Sequence, residues 1–272
     1  MAGRIRTGIA GWVFAGWRKG AFYPEGLPQK QELHYASRAL TTIEINATFY
    51  SHQKPESFEA WAAQTPEDFV FPIKGHQGIT HIKRLKDVGP LLANFFASGP
   101  MALGARLGPF VWQLPPNMKF DAGRMEAFLK LLPHDADALA ALAGQHDEKT
   151  KAPFIKTTGI GRVRHAIEVR HQSFADEAFV ELMRAHNVAI VIADTDTWPT
   201  MDATADFIYC RLQCAPGKDR YEAADIDRLA ARCRAWRDGE PMLDGPFIGS
   251  AEKRPRPRDV FAHFVSTDKE HA

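Results

Sequence analysis

Two hydrophobic periodicities alternate along the whole chain, and this alternation constrains the fold more than any other feature. Segments such as 4–12 and 41–50 change polarity at about every second residue, as β-strands do. The segment 223–239 instead has the period of about 3.6 residues that is typical of an amphipathic helix. Eight strand-like segments can be distinguished, and most are followed by a helical one. Such alternation predicts a parallel sheet with helices on its outside.

The number of these units predicts the type of sheet. Eight β/α units within about 250 residues match a (β/α)8 TIM-type barrel, so we predict this α/β fold. A single domain over residues 1–272 is expected, because no linker, low-complexity tract or repeat divides the chain. A doubly wound open sheet is the alternative, but no G-x-G-x-x-G motif follows the first strand. Residues 266–272 are too few for a normal closing helix, so either another helix covers that seam or the barrel lacks one.

Composition excludes some classes of partner. Hydrophobic residues make up 45% and charged residues 25% of the chain, as in an ordinary globular protein. The 34 Lys and Arg residues are balanced by 33 Asp and Glu residues, which argues against a mainly electrostatic nucleic-acid binder. No apolar run approaches the ~20 residues of a membrane-spanning helix, so no membrane partner is expected. The sequence does not indicate an oligomeric state.

The cysteines and the N-terminal segment bear on the cellular compartment. The three cysteines are an odd number and have no C-x-x-C spacing, so we interpret them as reduced thiols. The first residues carry charge but have neither the apolar core nor the cleavage site of a secretory signal. The sequence therefore predicts a cytoplasmic protein.

Polar residues lie at the carboxyl ends of most predicted strands. The segment 41–50 is predicted as a strand with Glu44, Asn46 and Thr48 on one face. Other predicted strands end in the same way, which gives the set Glu44, Asn46, Lys74, Gln113, Glu168, Arg170, Asp194, Arg211 and Gln213. Because the carboxyl ends of barrel strands meet at one opening, where barrel enzymes carry out catalysis, we expect these side chains to converge there.

Unpaired charges at such an opening would cost several kcal/mol each, so they should pair with each other or bind something. Two interpretations remain: a structural ion network, or a site for a small polar ligand, which the position at the strand ends favours. In the second, Lys74, Arg170 and Arg211 suit an anion such as phosphate or carboxylate. Gln113 would contact the same ligand.

Catalytic roles follow from residue chemistry. Glu44 and Glu168 are a candidate general acid/base pair. Asp194 would orient a cation or join them around a divalent metal, but no compact metal-binding signature is present and we do not favour a metal. Lys74 forming a Schiff base is a further, less favoured alternative. Hydrolase, lyase and isomerase chemistry are all compatible with this set.

Histidines and aromatic residues follow the same strands. His81 is a candidate acid/base or anion contact, with an ordinary loop histidine as the equal alternative. His171 either faces the opening or caps the next helix. Trp12, Tyr50 and Tyr221 are candidates to stack on a sugar or a base, although loop packing over the barrel is the favoured interpretation of such aromatics.

Several segments together carry a family resemblance: residues 8–50, 71–85, 107–116, 167–174 and 207–212. They resemble the domain-of-unknown-function family 72, the YecE-like proteins. The resemblance implies a TIM-barrel-like fold and no established activity. It singles out Gly11, Trp12, Glu44, Asn46, Phe49, Tyr50, Lys74, Thr80, His81, Gln113, Glu168, Arg170, His171, Asp194, Arg211 and Tyr221.

The chain departs from the family pattern in two places. The seventh strand usually continues as R-[LF]-H-G, whereas Gln213 and Cys214 stand here in place of the histidine and glycine. The eighth strand usually ends in asparagines and an alanine-rich helix, which 262–272 does not match. If that histidine is catalytic in relatives, the activity of this chain is altered or lost.

We therefore predict an enzyme that uses carboxylate acid/base chemistry on a small anionic, phosphorylated or sugar-like substrate. A non-catalytic ligand-binding protein is one alternative. A nucleic-acid-processing enzyme is the other, less favoured one, because the basic clusters at 81–87 and 252–259 are short and are typical of solvated surface.

Overall fold

The computed structural model describes residues 2–194, 200–214, 220–242, 245–249 and 255–265. In this part of the chain, eight parallel strands form one sheet in the order β2-β1-β8-β7-β6-β5-β4-β3. Their bounds are β1 Ile5–Ala10, β2 Thr42–Glu44, β3 Phe71–Lys74, β4 Leu107–Gln113, β5 His165–Glu168, β6 Ala189–Ala193, β7 Phe207–Leu212 and β8 Asp259–Phe264.

The sheet closes into a barrel between β2 and β3. Isolated bridges join Thr42 to Val70 and Ile45 to Ile73, and the amide of Lys74 donates to the carbonyl oxygen of Ile45 at 3.0 Å. On the side of β1 away from β2, β1 pairs in parallel with β8, the last strand of the barrel. The predicted TIM-type (β/α)8 barrel is thereby confirmed.

Helices connect the strands on the outside of the barrel. Their bounds are α1 Glu32–Ala39, α2 Ala47–Tyr50, α3 Pro55–Gln64, α4 Gly89–Ala97, α5 Ala122–Leu129, α6 Ala136–Ala143, α7 Glu177–Ala185 and α8 Ala223–Asp238. Helices α5, α6 and α7 each begin after an aspartate whose carboxylate accepts a backbone N–H of the first turn, which stabilises their starts. Among the described residues, no helix has the length and apolar character needed to cross a membrane.

The lower half of the barrel interior is apolar. Phe207 and Phe261 pack edge to face there, with ring centroids 6.0 Å apart, and Val111 and Val191 belong to the same buried cluster. Because Phe207 and Phe261 precede Arg211 and Phe264 in β7 and β8, this layer lies on the amino-terminal side of Arg211.

The seam between β8 and β1 is covered by α8, the helix that precedes β8, because α8 contacts both strands. The amide of Arg258, next to β8, donates to the carbonyl oxygen of Trp236 at 3.1 Å, and the amide of Gly3 donates to that of Arg237 at 2.9 Å. The described residues thus fit the alternative in which another helix covers this seam. Residues 266–272, on which the other alternative depends, lie outside the described residues.

The prediction that 41–50 is one strand was wrong in its second half. The strand ends at Glu44, and Asn46 already has a helical backbone, with φ −91° and ψ −20°. The hydroxyl of Thr48 lies 2.7 Å from the carbonyl oxygen of Lys74, to which it donates, and 3.1 Å from that of Ile45. The hydroxyl of Thr48 is thus bound to backbone carbonyl oxygens instead of lying on the inner face of β2, and this face ends at Glu44.

Candidate functional site

An arginine lies between two carboxylates at the carboxyl ends of three strands. Arg211 of β7 donates from Nη2 to Glu44 Oε1 at 3.0 Å and from Nη1 to Glu168 Oε2. All three side chains are buried, and Glu44 and Glu168 come from β2 and β5. We call Glu44, Arg211 and Glu168 the carboxylate–arginine triad.

Further donors bind the two carboxylates of the triad. The hydroxyl of Tyr209 donates to Glu44 Oε2 at 2.8 Å. The amide group of Gln113 donates to both oxygens of Glu168 at 2.9 Å, and Arg170 donates to Glu168 Oε1 from Nε at 2.8 Å. Each carboxylate oxygen of the triad therefore has at least one hydrogen-bond donor.

These contacts fix the charge states of the triad. Burial alone would raise the pKa of Glu168, but Arg211 and Arg170, with a hydrogen bond from Gln113, hold it at about 2. Burial alone would also raise the pKa of Glu44, but Arg211, together with smaller contributions from neighbouring groups, lowers it overall. Both glutamates are therefore ionised at neutral pH and do not have the near-neutral pKa that favours a general acid or base.

Lys74, at the end of β3, is a buried cation of a different kind. Its side chain is 8% exposed, and its Nζ lies 4.3 Å from the centroid of the Phe49 ring. Within the described ranges, Nζ has neither a hydrogen bond nor an ion pair. Burial, together with the positive charge of Arg211, lowers the pKa of Lys74 to about 8, although Glu44 and Glu168 act in the opposite direction.

His81 lies near Lys74 in a π-helical turn, Gly78–Ile82. Its Nδ1 is 2.9 Å from the hydroxyl oxygen of Thr80, and its ring packs edge to face on Phe49 at 5.0 Å. Burial lowers the pKa of His81, and Lys74 lowers it further. The imidazole is therefore neutral at pH 7.

Asp194 and Tyr221 bind each other, and the hydrogen bonds of the described residues join neither of them to the triad. The hydroxyl of Tyr221 donates to Asp194 Oδ2 and accepts from the amide of Cys214 at 2.7 Å. Asp194 Oδ1 accepts from the amide of Gln213 at 2.7 Å. Burial and the negative charge of Asp194 raise the pKa of Tyr221. This pair anchors the chain after β7, on both sides of residues 215–219, which lie outside the described residues.

The remaining predicted residues fall into two groups. Asn46 and Tyr50 are near the opening: Asn46 Oδ1 is buried and has no hydrogen-bond partner among the residues described, and the Tyr50 side chain is 69% exposed. His171 and Trp12 have structural contacts. His171 Nδ1 accepts from the amide of Ser173 at 3.1 Å and so caps the next turn, and Trp12 packs edge to face on Trp61 at 5.4 Å.

The sequence prediction missed three residues directly beneath the triad. Besides Tyr209, they are His263 and Thr42, both buried. The hydroxyl of Thr42 donates to the carbonyl oxygen of Val70 at 2.8 Å, so at 3.3 Å it accepts from Nε2–H of His263. Burial lowers the pKa of His263 to about 4. Tyr209 precedes Arg211 by two positions and so shares its face, a signal that reading only the last inward position of each strand overlooks.

A metal site was predicted as possible but not favoured. Among the described residues, no group of three or more His, Cys, Asp or Glu side chains is arranged to hold a metal ion. Glu44 and Glu168 instead bind the guanidinium of Arg211, and Asp194 binds Tyr221.

Residues 6–245 match the model of a protein family that is described as protein of unknown function DUF72. A curated relative, the UPF0759 protein YunF of Bacillus subtilis (strain 168), is 34% identical over 80 residues. That alignment spans 29% of this chain and 27% of the length of YunF.

Solved structures of DUF72 proteins have the same fold. A DUF72 family protein from Thermotoga maritima MSB8 superimposes with a TM-score of 0.68 at 22% identity, covering 96% of this chain and 92% of that protein. A DUF72 family protein from Enterococcus faecalis V583 gives a TM-score of 0.64 at 13% identity, covering 99% and 93% respectively. At these identities the likeness concerns the fold.

Proposed function

The chain belongs to the DUF72 family, and we propose that it is an enzyme that binds a small anionic substrate at the carboxyl ends of its barrel strands. In this proposal Lys74 is the acid/base group, and Lys74 and Arg170 bind the anion. Glu44 and Glu168 have a different role from the one expected from sequence: they hold Arg211 in place.

The observation that carries this proposal is the unneutralised ammonium of Lys74. A buried cation without a counter-ion is costly, so it is retained where something else supplies the negative charge. Lys74 has no acceptor among the described residues, although two buried carboxylates lie close enough to influence its pKa. An anionic ligand would supply the missing acceptor.

Arg170 is the second cation in this arrangement. Its side chain is 39% exposed, whereas Arg211 is buried between its two glutamates. Glu168 Oε1 binds both Nε and Nη2 of this guanidinium at 2.8 Å, and Nη1, which has no hydrogen bond to a described residue, suits contact with a carboxylate or phosphate.

The assignment of the proton-transfer role follows from the pKa values. A pKa of about 8 leaves Lys74 able to exchange a proton near neutral pH, and a pKa of about 2 leaves Glu168 unable to do so. Neutral His81, on the same Phe49 ring, is a second group that can transfer a proton.

Titration with inorganic phosphate and with pyruvate, followed by calorimetry and thermal unfolding, tests the binding step. At 100 times the dissociation constant, a ligand stabilises the folded state by about 2.7 kcal/mol, which raises the melting temperature by about 5 °C or more. We expect Lys74→Met and Arg170→Met to abolish this rise in melting temperature. Lys130→Met, which changes an exposed lysine directly after α5, is the control and should preserve it.

A screen of phosphorylated sugars and keto acids for turnover then tests catalysis. Because Lys74→Met is expected to remove binding as well, retained turnover in Glu168→Gln is the result that assigns proton transfer to Lys74 and not to Glu168. Binding without turnover of any compound favours the alternative of a non-catalytic ligand-binding protein. Equal binding by wild type and both cation variants contradicts the proposal.

A further inference from the structure

We propose that Lys74 forms a Schiff base with the carbonyl carbon of its substrate, so that the substrate class is a small aldehyde or ketone that also carries a carboxylate or phosphate. This inference rests on the proposed function, because it assumes that the same opening binds an anion. It adds a covalent step and a defined functional group.

The surroundings of Lys74 favour nucleophilic use of its nitrogen. Nζ lies over the face of Phe49, so that one side of the amine is bounded by an apolar ring. No described residue has a hydrogen bond with Nζ, so no donor among them occupies the lone pair of the deprotonated amine. The backbone is fixed on both sides, by the hydrogen bonds to Ile45 and from Thr48.

The charges that face Lys74 act together on its protonation. Arg211 and Arg170 disfavour the ammonium, and the opposing effects of Glu44 and Glu168 are smaller than burial and the arginines combined. With a pKa of about 8, roughly one amine in ten is neutral at pH 7, about 300-fold more than for an unperturbed lysine. Desolvation beside another cation is a known way of activating a lysine for Schiff-base chemistry.

The chemical step balances without any further reactant. The neutral amine attacks the carbonyl carbon and forms a C–N bond, and a proton moves from nitrogen to the carbonyl oxygen to give a carbinolamine. Loss of the hydroxyl group with the second amine proton releases one water and leaves the imine. His81 is neutral, lies near Lys74 on the Phe49 ring, and can relay these protons.

Arg170 restricts the class of carbonyl compound. Its exposed guanidinium is at the opening, close enough to Lys74 to influence the pKa of the amine. A substrate whose carbonyl reaches Lys74 while its carboxylate or phosphate reaches Arg170 is short, with the two groups a few bonds apart. Keto acids and phosphorylated aldehydes or ketones have this arrangement.

Reductive trapping in the full-length protein tests the inference. Wild type is incubated with sodium cyanoborohydride and one of three probes: pyruvate, glyceraldehyde 3-phosphate, or uncharged glycolaldehyde. Intact mass and peptide mapping then give the labelling rate of each lysine. We expect at least one anionic probe to label Lys74 ten-fold or more faster than exposed Lys130, with a rate that rises with pH and has its midpoint near pH 8.

Variants separate the two parts of the inference. Arg170→Met should lower the rate for the anionic probe at least five-fold more than the rate for glycolaldehyde, which falls only because the pKa of Lys74 rises when Arg170 is removed. Preference for pyruvate identifies a carboxylate substrate, and preference for glyceraldehyde 3-phosphate a phosphorylated one. Equal labelling of Lys74 by all three probes overturns the assignment of an anionic carbonyl substrate.

The comparison of lysines within one wild-type molecule keeps the test valid even if a variant fails to fold. If Lys74 is labelled no faster than Lys130 by any probe while phosphate still binds, the Schiff base is wrong and the proposed anion-binding function stands. If phosphate binding is also absent, both are wrong.

Discussion

The carboxylate–arginine triad and Lys74 are two buried charged regions of the same barrel opening, and they differ in how their charges are neutralised. In the triad, Arg211 binds one oxygen of each glutamate, and the pKa values of Glu44 and Glu168 move away from neutrality. Among the described residues no carboxylate pairs with Lys74, and its pKa moves toward neutrality. Burial is common to both, so the presence of a partner is what separates a structural charge from a candidate functional one.

The two regions should respond in opposite ways to substitution. Removing one member of a paired set leaves a buried charge without a partner and destabilises the protein. Removing an unpaired charge relieves a cost that the folded state already bears, and functional residues are often held at such a cost. Unfolding measurements on matched variants therefore distinguish the regions without knowledge of the substrate.

The largest effect is expected for Arg211→Met, because it leaves Glu44 and Glu168 buried without their common cation. We predict a loss of about 5 kcal/mol in the free energy of unfolding and a melting temperature lower by about 10 °C or more. Thermal unfolding with circular dichroism measures this change. A variant that melts within 2 °C of wild type would show that the glutamates do not depend on Arg211.

Glu168→Gln should destabilise the protein by about 3 kcal/mol, because Arg211 loses the carboxylate on one side. Glu126→Gln, which removes an exposed carboxylate paired with Lys130, is the control and should leave the stability nearly unchanged. Urea unfolding at pH 7 measures both. An unchanged or raised stability of Glu168→Gln would indicate that Glu168, like Lys74, is a charge that the folded state holds at a cost to its stability.

The pH dependence of the same variant sharpens the comparison. The pKa of Glu168 is about 2 in the folded state and about 4.5 unfolded, so its stabilisation is present above pH 4.5 and is lost as the pH falls toward 2. We predict that wild type loses about 3 kcal/mol over this window beyond the loss of Glu168→Gln. Parallel acid-unfolding curves for the two proteins would contradict this prediction.

Lys74→Met should raise the stability at pH 7, by about 2 kcal/mol, because it removes a buried cation that has no ion pair with any described residue. The unfolded lysine, with a pKa of 10.5, binds more protons than the folded one between pH 8 and 10.5, so wild-type stability rises with pH across this window. The gain in Lys74→Met should therefore shrink by pH 10.5. Lys130→Met is the control, and a destabilised Lys74→Met would show that the ammonium has a stabilising partner.

The smallest effect is expected for Tyr221→Phe, which lies outside both regions. It removes the hydroxyl that joins Asp194 to the amide of Cys214, and we predict a loss of about 1 kcal/mol. Urea unfolding measures it. A loss comparable to that of Glu168→Gln would mean that the anchor after β7 is part of the triad's support.

Sequence reasoning predicted the barrel and the convergence of Glu44, Arg211 and Glu168, because strand alternation fixes which face a side chain occupies. It did not predict which charges pair. Pairing depends on how far each side chain extends across the barrel. Among the described residues, Arg211 pairs with both glutamates and Lys74 pairs with neither. The early end of β2 was missed because it involves a contact that is distant in sequence. The hydroxyl of Thr48 donates to the carbonyl oxygen of Lys74, at the end of β3.

The same contact has a consequence for the side chain of Lys74. The amide of Lys74 and its carbonyl oxygen both take part in joining β2 to β3, where the barrel closes by isolated bridges. The backbone of the residue proposed to react therefore also helps to close the barrel. Only its side-chain torsions remain to be ordered when a ligand arrives, which lowers the entropic cost of positioning the amine. A substitution of Thr48 that leaves every ligand contact intact would then still slow the reaction, by loosening the backbone beneath its nucleophile.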